Sequence, residues 1–159
     1  DTSGIVTNDR GVTVWLKGNR VSRNQIMAIK EESVTEQKNS LAVCLDNILR
    51  HAGITRNTEY DLAQGKTATT ILSENMTGVQ VLDLSGCTLD AVLYYVNQDI
   101  PVLAILEDGE AVLVTGFNEF NVVIMEPATG KLYKKGMNDA TAWFAENGNH
   151  FITYMRTEN

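Results

Sequence analysis

Between Pro101 and Glu126 three apolar runs follow one another with almost nothing between them: "PVLAIL" (Pro101 to Leu106), "EAVLVTGF" (Glu110 to Phe117) and "NVVIME" (Asn121 to Glu126). Only "EDG" and "NEF" separate them. A parallel crossover needs a dozen or more residues, so breaks this short make hairpins, and the runs predict an antiparallel meander. "PATGK" is a further turn, "KLY" a short candidate strand, and "HFITYM" reads as the last strand. A sheet of this kind must bury a face against something else.

The preceding segment supplies that partner. From Ser40 the apolar residues return at helical spacing, with Leu41, Cys44, Leu45, Ile48, Leu49 and Ala52 on one face. Gly53 stands where a helix ends in the left-handed conformation, and His51 lies in the last turn, where a positive charge suits the dipole. A helix is expected around Thr67 to Glu74, with a shorter one near Glu59, then a strand from Val79 to Leu84. Thr88 reads as the N-cap of a helix that buries Leu89, Val92, Leu93 and Val96. "NDATAWFAENG" reads as a helix capped by Asn138 and closed by Gly148. Nearer the start, Gly11 to Asn19 alternates like a strand, and Ser22 to Gln25 fits a capping box opening a short helix to about Ile29. The polar stretch Lys30 to Asn39 is the natural linker. These signals predict an N-terminal strand/helix extension over residues 1–33 and one domain over residues 34–159. Helices first and an antiparallel sheet second is an α+β pattern.

Composition sets the outer bounds. The chain has 159 residues, 43% of them hydrophobic, which is enough to bury a core without metal or disulfide staples. A net charge of −7 argues against nucleic acid and anionic membrane surfaces as partners, and Lys134 and Lys135 are an isolated basic pair. No apolar run reaches the length of a membrane helix. The chain opens on Asp1, as a mature or excised fragment would, which leaves room for a signal or anchor upstream. Its two cysteines, Cys44 and Cys87, suit either a disulfide or two buried thiols. Metal, phosphate-loop and dinucleotide motifs are absent.

Over about Gln37 to Tyr154 the order of motifs resembles the papain-like cysteine peptidases of the bacteriocin-processing type, the double-glycine leader peptidases. The resemblance rests on a helix entered from a polar loop and ended by Gly53, on "LYYVNQDIPVLAIL", and on "DGEAVLVTGF", "NVVIMEP" and "ATGK". It implies a papain-like fold, with N-terminal helices packed on an antiparallel sheet. In that family a cysteine opens the first helix after an oxyanion-hole glutamine. The base is a histidine in a Gly-His-Ala-Val-x-Val-x-Gly-Tyr strand, and an Asp or Asn before a proline orients it. The chemistry fits the layout: the helix N-terminus lowers the thiol pKa, the histidine takes its proton, and the acid fixes the imidazole tautomer.

In this chain Ser40 stands where the nucleophile belongs, Glu110 in the histidine position and Glu126 in the acid position, while Gln37 matches the oxyanion glutamine. Cys44 lies one turn further in, on the apolar face, where a thiol is inert. All three triad positions are replaced. The resemblance therefore implies a pseudo-peptidase, a peptide- or protein-binding or structural module of a larger bacterial protein at the cell surface or outside the cell. It expects an extended peptide or protein segment in the vestigial cleft, and neither a cofactor nor a metal. One alternative is an acid-active serine peptidase using Ser40 with Glu110 and Glu126, similar in residue types to the sedolisins on an unrelated fold. Others are a cation between the two carboxylates and a pure assembly domain. His51 is about 16 Å from Ser40 at the far end of the helix, too far to serve it, and His51 and His150 are both expected at the surface.

Overall fold

A computed structural model describes residues 4–7, 13–16, 25–26 and 39–157. The strands β1 (Gly4–Thr7) and β2 (Thr13–Leu16) pair as an antiparallel hairpin. Gln25 and Ile26, expected inside a short helix, instead form β3 (Gln25–Ile26), paired with Phe117 and Gly116. A local capping signal is weak beside an open row of backbone donors and acceptors, and here pairing with the sheet wins. Ser22, Gln37 and the linker up to Lys38 lie outside the described residues.

The helix α1 (Ser40–His51) starts one residue after its cap: Asn39, not Ser40, accepts from the Leu41 and Ala42 amides. Its end is a Schellman motif. The amide of Gly53, at φ +87°, donates to the Arg50 carbonyl, and the Ile54 amide to Leu49. The buried face is wider than the expected stripe, because Ala42, Val43 and Asn47 join Cys44, Leu45, Ile48 and Leu49, whereas Ala52 is exposed. After α2 (Glu59–Ala63) come α3 (Ala68–Asn75), capped by the Thr67 hydroxyl, and β4 (Val79–Asp83). Thr88 caps α4 (Leu89–Val96) as predicted, accepting from the Ala91 amide, and Leu89, Val92, Leu93 and Val96 are all buried.

The meander follows as β5 (Val102–Ile105), β6 (Ala111–Phe117), β7 (Asn121–Glu126) and β8 (Lys131–Gly136), each antiparallel to the last. Then come α5 (Met137–Glu146) and β9 (Phe151–Arg156). Asn138 does not cap α5. Strand β8 passes directly into the helix at Gly136, the Met137 amide donates to the Phe120 carbonyl, and Asn138 falls inside the first turn. Gly148, at φ +88°, lies just beyond its end.

The sheet runs β4-β9-β5-β6-β7-β8, with β3 beside the outer end of β6. Every residue of β6 is buried, which for a strand with alternating side chains means cover on both faces; α1 and α4 both rest against it. A bulge at Thr115 shifts the β6–β7 register, and its hydroxyl reaches the Val123 carbonyl. β8 ends the sheet. Lys131 and Lys134 are exposed there, and the Lys135 ammonium sits 4.9 Å from the Trp143 ring.

Candidate functional site

The first turn of α1 meets the start of β6. Ser40 is half-buried, and its hydroxyl oxygen accepts the Ala111 backbone N–H at 2.9 Å across 71 residues of sequence. That contact puts Ser40 beside the hairpin that carries Glu110. The hairpin is tight: Leu106 N donates to Glu110 O, and Glu110 N to the Asp108 carboxylate. The Glu110 side chain itself points to solvent. Among the described residues, no hydrogen bond joins Ser40 to Glu110 or to Glu126.

Glu126 closes β7 just before Pro127 and is half-buried. Its carboxylate accepts weakly from the Ala128 amide, at 3.4 Å, within the β7–β8 turn. Its charge is felt at Cys44, one helical turn below Ser40, and at Tyr133 on β8. So the structure gathers Ser40, Cys44 and Glu126 at the same end of α1, with Glu110 on the rim.

Cys44 is fully buried, and burial first, then the Glu126 charge, push its thiol well above the ordinary value. Both cysteines are buried free thiols. A raised folded-state pKa on an acid means that the folded chain keeps a proton the unfolded chain has lost. Stability is therefore fully present below the unfolded thiol pKa, about 8.5, and falls as pH rises from there towards the folded value. Urea midpoints should drop between pH 9 and pH 10 by the equivalent of ~1 kcal/mol from Cys44 alone, and by correspondingly less in Cys44→Ala. Equal drops in the two proteins would show that the thiol titrates freely. Tyr95, pushed up to about 12 mainly by burial, adds to the loss only above about pH 10.

Of the two imidazoles, His51 is placed away from this cluster. The His51 side chain, only 11% exposed, sits at the other end of α1 against Asp99, with Nε2 3.2 Å from the Asp99 carbonyl. His150 is half-buried, and its carbonyl accepts from Ile105 ahead of β9. Both keep some exposed surface, and each is partly covered by the segments around it. The His51–Asp99 contact spans 48 residues and carries no sequence signal. No group of three His, Cys, Asp or Glu side chains converges among the described residues. No helix among them is long and apolar enough to cross a membrane.

No protein-family model matches the sequence, and no curated protein matches it. Among solved structures, the crystal structure of a candidate C39-like peptidase from Bacillus anthracis superposes with a TM-score of 0.68, covering 84% of this chain and 98% of that one, at 12% identity. The likeness is one of fold, and the chain has the α+β, papain-like fold of a C39-like peptidase.

Proposed function

We propose that this papain-like peptidase homologue lacks peptidase chemistry and acts as a peptide- or protein-binding or structural module of a larger bacterial protein, outside the cell or at its surface. The observation that carries the reading is the state of Ser40. Its hydroxyl accepts a backbone amide, and a serine needs an adjacent base to become a nucleophile. The histidine position is held by Glu110, whose carboxylate is in water, and His51 is a helix length away. Cys44, the thiol nearest the site, is sealed in the core.

An extended peptide or protein segment is the partner this reading takes, and a net charge of −7 supports a protein rather than a nucleic acid partner. The likeness in fold supports the architecture and leaves the role to the site. The test is hydrolysis of a mixed fluorogenic peptide library from pH 3 to pH 9. No turnover above the blank is expected at any pH. Steady acid turnover abolished by Ser40→Ala would overturn the proposal and establish a serine peptidase working with Glu110 and Glu126.

A further inference from the structure

A second site lies at the far end of α1. There the helix terminus, the turn after α4, the start of β4 and the end of β9 enclose a cavity of about 570 Å³. That is a size typical of small-molecule sites. Six residues with polar side chains line it: His51, Thr77, Asp99, Tyr154, Arg156 and Thr157. Ile54 and Met76 add apolar wall.

Tyr154 is 2% exposed overall, and its hydroxyl, which has no hydrogen-bond partner among the described residues, is not sealed off and reaches the cavity. Two opposite charges bear on this one. The Asp99 carboxylate adds to the burial that raises its pKa, and the Arg156 guanidinium draws it down. Those charges do not pair with each other. Arg156 donates one N–H to the Gln98 carbonyl and makes no ion pair among the described residues. Asp99 holds a left-handed backbone at φ +67°, which presents its carboxylate beside His51 Nε2 at 3.5 Å. The same Nε2 lies 3.2 Å from the Asp99 carbonyl oxygen.

A simple anion entering this cavity meets Asp99, and a simple cation meets Arg156. A ligand with both charges satisfies both walls. We propose that the cavity binds a small zwitterion of the α-amino acid class, its carboxylate held by Arg156 and the Tyr154 hydroxyl and its ammonium by Asp99. The site is independent of whatever occupies the Ser40 cleft.

The test is an amide-resolved NMR titration of the whole chain with glycine, alanine, glutamine and leucine, each to about 10 mM, and with the N-acetyl and amide forms of the tightest. Saturable shifts are expected at His51, Thr77, Asp99 and Arg156. Blocking either end of the ligand should weaken binding at least ~10-fold, as should Tyr154→Phe or Arg156→Gln. Asp99→Asn, which tolerates the same backbone, should weaken the free amino acid and spare its N-acetyl form. The absence of saturable shifts with every compound overturns the proposal. So does equal binding of the N-acetyl form, which would mark a plain anion site. The ligand series uses the unaltered protein, so it decides the matter even if a variant fails to fold.

Discussion

Iodoacetamide alkylates position 40 of a Ser40→Cys variant at least ~100-fold faster than it alkylates Cys44 in the same folded molecule. The two positions are one helical turn apart, so the contrast isolates environment from neighbourhood. A thiol at residue 40 sits in the first turn of α1, which holds no acidic side chain. The positive end of the helix dipole and the Ala111 N–H both favour the thiolate. Glu110 and Glu126 are the opposing charges; water screens the exposed Glu110 and, in part, the half-buried Glu126. Cys44 has the reverse conditions: no exposed surface, a low-dielectric surround and the Glu126 charge nearby. Peptide mass mapping of briefly labelled protein reads both sites at once. Labelling of residue 40 as slow as that of Cys44 would mean that the first turn no longer provides the field of a nucleophile site. The expected result says that α1 keeps those electrostatics although the side chain there is a serine without a base.

Leu45→Ala lowers the unfolding free energy by about 2–5 kcal/mol, the range for emptying a fully enclosed leucine site. For a chain of this length, that moves the thermal midpoint down by roughly 5–15 °C. Leu45 has no exposed surface and sits midway along α1, the helix that rests against β6 and β5 and beside α3. Those elements are fixed by pairing to neighbours on both sides, so they cannot collapse into the void, and the cavity term adds to the lost transfer energy. Urea unfolding followed by far-ultraviolet circular dichroism checks this. A change below ~1 kcal/mol would show that α1 is loosely seated and that Ser40 is not held in place by the core.

Much of this architecture was readable from local chemistry. The meander was legible because "EDG" and "NEF" leave room only for hairpins. α4 was legible because Thr88 and four apolar residues at helical spacing agree with each other. The misreadings occur where a long-range partner outweighs a local signal. Gln25 looked like a capping-box residue, and the free edge of β6 claimed it for a strand. Asn138 looked like a cap, but the strand ahead of it ran straight into the helix. Ser40 opens α1 as the helical spacing indicated, and Asn39 takes the capping role, which leaves the serine hydroxyl for Ala111. The second cavity was invisible for the same reason. Tyr154, Asp99 and His51 are 48 and 55 residues apart along the chain, and only folding brings them to one wall.

The lysines of β8 bear on how the folded chain meets its own copies. Three of the other strands in this sheet, β5, β6 and β7, carry apolar runs, the material from which cross-β stacks are made. A sheet with an open, uncharged edge templates the addition of another strand. Here the open edge of the meander carries Lys131 and Lys134 in full contact with water, so a second copy arriving in register would set like charges side by side. In the sequence Lys134 counted only as half of an isolated basic pair with Lys135. On the sheet edge Lys131 and Lys134 are well placed to keep a β-rich protein dispersed where its concentration is high.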